Sequence, residues 1–159
     1  MEFEIVSLPA MIVVGSELRT TWMNKECYSA IPEFWQQQLS QNRIQAIPHK
    51  MYPDVVLGLY TNYSSDFSLT SGHYSLVIGC PVTNADNVPS DMVAAHIPAA
   101  KYAVFTAKGP FDQSVGKVWL EEIWQNTNLD RTFTYDFEWY DSQSTNDENS
   151  IVKIYIAIK

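Results

Sequence analysis

Helical and extended patterns recur in the same order twice along this chain of 159 residues. A β-branched run from Ile12 to Thr20 leads into Ile31, Phe34, Trp35 and Leu39, spaced at i, i+3, i+4 and i+8. That spacing predicts a helix over Ser29 to Ser40 with one apolar face, and Pro32 near its front costs little because the first N–H groups of a helix have no partner. Val55 to Tyr63 and Tyr74 to Val82 are apolar runs flanking a Ser/Asp/Gly-rich turn, a hairpin signature. After a short strand signal at Met92 to Ile97 the order restarts. Tyr102 to Lys108 reads as a strand, followed by Phe111, Val115, Val118, Trp119 and Ile123 at i, i+4, i+7, i+8 and i+12 of a helix over Phe111 to Asn126. Pro110 and Asp112 mark its start. Tyr135 to Asp141 and Ile151 to Ile158 then flank the polar stretch Ser142 to Ser150 as a second hairpin.

A helix with one apolar stripe must cover a sheet face, so each half calls for its own layer of strands beneath its helix. The predicted fold is α+β: duplicated β-α-β-β halves, roughly residues 1–88 and 89–159 of a single domain, forming one curved antiparallel sheet with two main helices. A cleft at the seam of two such halves is a natural ligand site.

Charge narrows what could enter that cleft. Ten Lys+Arg stand against 18 Asp+Glu, a formal net charge of −8, and the basic residues are scattered singly. A phosphate backbone would be repelled, so direct nucleic-acid binding is not expected, and cations are mildly preferred. Cys27 and Cys80 fit neither a metal spacing nor a disulfide framework and read as free thiols. The start, Met1-Glu2-Phe3-Glu4, is acidic where a secretory signal would be basic. The apolar run Leu8 to Gly15 is broken by Pro9 and too short to span a bilayer. A cytoplasmic protein without membrane partners is expected.

Several segments together carry a resemblance. Leu8-Pro9-Ala10-Met11-Ile12-Val13-Val14-Gly15, Ile31-Pro32-Glu33-Phe34-Trp35 and Val56-Leu57-Gly58-Leu59-Tyr60 come first. Tyr74 to Val82, Ile97 to Phe105, Lys108-Gly109-Pro110, Val118-Trp119 and Ile123-Trp124 follow. Tyr135-Asp136-Phe137-Glu138-Trp139-Tyr140-Asp141 with Ile154-Tyr155-Ile156 is the most diagnostic stretch. Across nearly its whole length the chain resembles the gyrase-inhibitor-like family, also the effector-binding domain of AraC-type and MerR-type multidrug-responsive regulators.

The resemblance implies a hydrophobic pocket holding one acidic residue, at the position of Glu138, that receives lipophilic cations. Some stand-alone relatives hydrolyse strained cyclopropane compounds through the same glutamate, and the founding activity of the family is protection of DNA gyrase. Nothing before Met1 could hold a helix-turn-helix, so regulation of transcription by the chain alone is not expected; a separate regulator or gyrase is the alternative protein partner.

Strand parity speaks to Glu138 without the family. Asp136, Glu138 and Tyr140 share one face of their strand, and Phe137 and Trp139 the other. Joining Phe137 and Trp139 to Val152, Ile154 and Ile156 as one apolar face would set Glu138 beside Tyr155. Spacing alone favours a solvent-facing glutamate, as for most strand glutamates; the resemblance places it in the pocket. There, cation–π contacts would add about 0.5–2 kcal/mol, against about 5 kcal/mol from roughly 200 Å² of buried apolar surface. Glu138 would therefore select charge while area supplies affinity.

Tyr60 takes in the first repeat the place of Tyr140 in the second, and Gly58 the place of Glu138. The expected ligand contacts are Glu138, Tyr155, Tyr140 and Tyr60, with Trp35 and Trp119 as walls, although spacing alone would assign both tryptophans to the core. Trp22, Trp124 and Phe105 are left to packing. No nucleophile elbow, phosphate loop or dinucleotide fingerprint is present, and His49, His73 and His96 lie apart. No metal or cofactor is expected. The chain reads as a binder of lipophilic, cationic, drug-like molecules. The alternatives are a hydrolase of strained electrophiles, with Glu138 raised in pKa as the base, and a gyrase-modulating partner.

Overall fold

The computed structural model describes residues 3–159; Met1 and Glu2, half of the acidic start noted above, lie outside the described residues. Eight strands and two helices follow in the order β1 (Glu4–Leu8), β2 (Met11–Thr20), α1 (Glu26–Ser40), β3 (Val56–Thr61), β4 (Tyr74–Val82), β5 (Val93–Ile97), β6 (Ala100–Lys108), α2 (Phe111–Val118), β7 (Tyr135–Tyr140) and β8 (Ile151–Ile158). All strands join one antiparallel sheet, ordered β1-β6-β8-β7-β3-β4-β2-β5.

That order is a palindrome of the two halves. β2, β4 and β3 approach the centre from one side, β6, β8 and β7 from the other, and β3 pairs with β7 at the seam. The register there sets Gly58 opposite Glu138 and Tyr60 opposite Asp136. A twofold exchange of the halves therefore carries Gly58 onto Glu138 and Tyr60 onto Tyr140, as the repeat predicts.

The leading strands behave differently from the rest. β1 precedes β2 in the chain yet pairs with β6 of the second half, and β5 precedes β6 yet pairs with β2 of the first. Each half thus covers the open edge of the other, which protects edge N–H and C=O groups that would otherwise be free to recruit another strand. Sequence reading missed β1, because five residues with Glu4 and Ser7 among them give no apolar run.

Apolar side chains line both faces of the sheet. On one side, α1 packs on β2 and β4, and α2 on β6 and β8. On the other, Val13, Leu57, Leu59, Val77, Tyr102 and Phe137 are at most 1% exposed within a cluster that no helix joins. Val6 and Leu8 from one edge and Val93 and Ala95 from the other pack against this cluster, so the sheet closes this face by its own curvature. Where β2 crosses β4, Gly15 faces Gly79; a Cβ on Gly15 would sit 2.6 Å from Gly79 Cα, so only glycine permits this approach.

Two helix expectations need correction. α1 starts at Glu26 rather than Ser29, after Asn24 and Lys25 in left-handed conformations, so Pro32 lies inside the helix and not near its front. It deprives the Tyr28 carbonyl of its usual donor. The second helix is regular only to Val118; Trp119–Ile123 continues as a π-helical turn in which Trp124 N–H reaches Trp119 O at 3.0 Å. No helix among the described residues is long and apolar enough to cross a membrane.

Candidate functional site

With α1 over β2–β4 and α2 over β6–β8, the central pair β3–β7 is left as the floor of a groove between the helices. The groove holds a cavity of about 820 Å³, whose lining is mainly aromatic and aliphatic. Pockets that bury drug-sized ligands are of this size.

Glu138 rises from the floor and is 3% exposed. Tyr140 donates its hydroxyl to Oε1 at 2.6 Å; Trp119 Nε1–H and the Tyr60 hydroxyl donate to Oε2 at 2.8 and 3.3 Å. All three donors are neutral, and no basic side chain among the described residues lies within ion-pair distance. Burial pushes the Glu138 carboxyl above its ordinary range, and the hydrogen bonds from Tyr140, Trp119 and Tyr60 pull it part of the way back. Burial and the adjacent Glu138 charge in turn hold the Tyr60 and Tyr140 phenols far up, so both remain donors.

Trp35 completes the walls. Its ring meets Tyr140 edge-on at 5.3 Å between centroids, as Tyr60 meets Trp119 at 5.4 Å. A Cβ on Gly58 would come within 3.2 Å of both Glu138 Oε1 and Trp35. The absence of a side chain at that one position is what gives the carboxylate and the indole room.

Five of the six expected contacts, Glu138, Tyr140, Tyr60, Trp119 and Trp35, are thus brought together. Tyr155 is not. The register pairs it with Phe137, not Glu138, and its ring stacks on Phe137 at 4.6 Å on the face away from the cavity. The expectation failed because it assumed one apolar sheet face. Both faces are apolar: Val152, Ile154 and Ile156 pack beneath α2, and Phe137 and Tyr155 fill the closed side.

Other lining residues were assigned to packing or not singled out. Trp22 and Trp124 both line the cavity, whereas Phe105 is core. The π-helical turn spaces Trp119 and Trp124 five residues apart on the same side, a placement that a 3.6-residue period does not produce. Tyr63 and Phe67 join beyond the end of β3, and Arg131 enters from the segment before β7. Aromatic density was the available signal for the rings; Arg131 carried none.

A family model described as Cass2, integron-associated effector binding protein, matches residues 4–158. The chain belongs to this family. Two curated relatives are named as regulators. YobU of Bacillus subtilis, named as a transcriptional regulator protein, is 34% identical over 131 residues, covering 81% of this chain and 79% of YobU. Transcriptional regulator BrlR of Pseudomonas aeruginosa is 30% identical over 99% of this chain, which spans 56% of BrlR. Among solved structures, SAV2435 bound to tetraphenylphosphonium superimposes with a TM-score of 0.83 at 22% identity, covering 100% of this chain and 94% of that one. An integron cassette protein from the mobile metagenome of Vibrio cholerae gives 0.74 at 28% identity, with 99% and 95% covered. The chain is a small-molecule effector-binding domain related to transcriptional regulators.

Proposed function

We propose that the effector is a lipophilic cation and that Glu138 selects its charge. The observation that carries this reading is a buried carboxylate whose partners are all neutral. Three hydrogen bonds keep it hydrated in effect, yet none supplies positive charge. A buried charge without a counter-ion is costly, and a ligand cation removes that cost while its apolar body displaces water from the aromatic walls. Tyr60, Tyr140, Trp35 and Trp119 offer ring faces and edges around the same spot, which adds cation–π attraction. The net charge of −8 draws cations from a distance. The tetraphenylphosphonium held by SAV2435, a protein of the same fold, is a ligand of this class.

The test is a titration with two ions of one shape and opposite charge, tetraphenylphosphonium and tetraphenylborate, against the protein and its Glu138→Gln variant. The protein is expected to bind the phosphonium and reject the borate. Glu138→Gln is expected to lose at least about tenfold in phosphonium affinity, the equivalent of about 1.4 kcal/mol. Equal affinity of the protein for both ions, or an unchanged Glu138→Gln, overturns the reading.

A further inference from the structure

Beside the deep pocket, α2 turns an open stripe toward the cavity. Asp112, Gly116 and Leu120 all line it and all are exposed. At i, i+4 and i+8 they stand one above another along the helix and into its π-helical turn.

Glycine at 116 answers to nothing inside the fold. The residue lies within α2 without a positive φ. Beyond its own stretch of helix, a Cβ built on it would meet no atom of the described residues within 4 Å. Glycine destabilises a helix interior relative to alanine, so neither backbone conformation nor packing accounts for it. The missing side chain leaves bare helix backbone along the cavity, where a ligand can approach closely.

Asp112 puts a charge on the same stripe. An aspartate in the first turn complements the helix dipole whichever way it points; this one lines the cavity. Asn146 Nδ2–H donates to its Oδ2 at 3.4 Å, and no basic side chain among the described residues lies within ion-pair distance. Lys117, the one basic residue of α2, does not line the cavity. Asp112 and Glu138 therefore border one cavity, and neither has a counter-ion.

The residues between them bracket their separation. Trp119, which donates to Glu138, follows Asp112 by seven residues, about 10 Å of helix rise. Phe111, next to Asp112 in the chain, meets the Tyr140 ring edge-on at 6.3 Å, and the Tyr140 hydroxyl donates to Glu138.

We infer that the Asp112–Gly116–Leu120 stripe is a second subsite of the cavity, for the second cation of an elongated ligand whose first cation meets Glu138. The inference rests on the cation reading above and narrows it to lipophilic bis-cations with a slender apolar spacer. The spacer lies along Leu120 and the bare backbone at Gly116, and the second cation reaches Asp112.

The test uses two ions of nearly equal shape, [6-(trimethylammonio)hexyl]triphenylphosphonium and (7,7-dimethyloctyl)triphenylphosphonium, which differ by the charge at the end of the arm. Armless methyltriphenylphosphonium is the reference. The protein is expected to bind the doubly charged ion about threefold more tightly than its singly charged partner at low salt, the scale of an exposed ion pair. Asp112→Asn is expected to abolish that preference. Asp86→Asn takes the same charge from the loop between β4 and β5 and is expected to keep it. Gly116→Leu fills the track of the spacer and is expected to weaken both armed ions at least about fivefold relative to the reference. Its melting temperature should hold or rise, because leucine is the better helix former.

Equal affinity for the armed pair, with phosphonium binding still dependent on Glu138, overturns the subsite alone. So does an equal loss of preference in Asp86→Asn, which would trace it to the overall charge, or a Gly116→Leu that binds armed ions as the parent does. No phosphonium binding at all overturns the subsite together with the cation reading.

Discussion

Gly58 and Glu138 are directly paired across the seam strands, one from each half, and the space of the missing side chain is the space the carboxylate uses. The pocket is asymmetric because a symmetric scaffold carries nothing at one twofold-related position and a charge at the other. Gly58→Ala would press a methyl group to 3.2 Å from Glu138 Oε1 and Trp35. It is expected to weaken tetraphenylphosphonium binding about tenfold, close to 1.4 kcal/mol, by shifting the carboxylate against its donors. The melting temperature should move little, since alanine in a strand regains backbone entropy that glycine loses. Calorimetric titration and a melting curve check both parts.

On the proposed reading, function and stability oppose each other at Glu138. Glu138→Gln removes a buried charge; with the amide oxygen kept at the Oε2 position for the Trp119 and Tyr60 donors, the Tyr140 hydroxyl can turn to accept from the new amide N–H. The ligand-free variant is therefore expected to equal or exceed the parent in stability, by up to about 1–2 kcal/mol. Chemical denaturation measures it. A large loss of stability would mean that the carboxylate, not a ligand, is what the surrounding donors require.

The raised Glu138 carboxyl gives a pH dependence with a definite sign. Its folded-state pKa lies above its unfolded value, so the folded protein holds the proton more tightly. The stability penalty of the ionised form is absent below the unfolded pKa, about 4.3 for an ordinary glutamate, and grows as pH rises through the folded pKa. The proposed cation binding would run the other way: it needs the carboxylate and would fall as pH drops through the raised pKa. Tetraphenylphosphonium affinity should therefore fade at a pH above the ordinary carboxylate range, and Glu138→Gln should show a flat profile.

Tyr140 and Tyr155 belong to adjacent strands but to opposite faces of the sheet. Tyr140→Phe removes the shortest hydrogen bond to Glu138 and is expected to lower cation affinity by about fivefold, as loss of a charge-assisted bond would. Tyr155→Leu breaks the stack on Phe137 and is expected to cost about 1–3 kcal/mol of stability. Its tetraphenylphosphonium affinity should stay within about twofold of the parent. Parallel titrations and melts of the two variants separate the faces.

Asp136 is fully buried and balances Arg131. Asp136→Asn leaves that guanidinium without a counter-charge inside the protein and is expected to destabilise it by about 3–5 kcal/mol. Chemical denaturation of Asp136→Asn against the parent gives the number; a loss under about 1 kcal/mol would show that the pair is open to water.

The chain announced its repeat, its helices and its second hairpin through periodicity alone, because apolar spacing at 3.6 and 2 residues reflects which side of an element is buried. Parity set Glu138 and Tyr140 on one strand face and the repeat matched Tyr60 to Tyr140, since strand alternation is local; that this face turns toward a pocket came only from the resemblance. Tyr155 could not be placed, because its side depends on register, and register is chosen by what covers each sheet face. Here both faces are covered, one by helices and one by curvature, so alternation of polarity no longer tells inside from outside.

The remaining site residues were beyond local pattern for separate reasons. Trp124 shares a side with Trp119 only through the π-helical turn, and Arg131 arrives from an irregular segment with no period to read. The exchange of β1 and β5 between halves is likewise a matter of which edge lies nearest once the sheet has curled. The sequence by itself determined most of the elements and their duplication, because those follow from contacts a few residues apart. Tertiary structure decided the register, the edges and which rings surround the carboxylate, because those depend on the competition between two buried faces for the same strands.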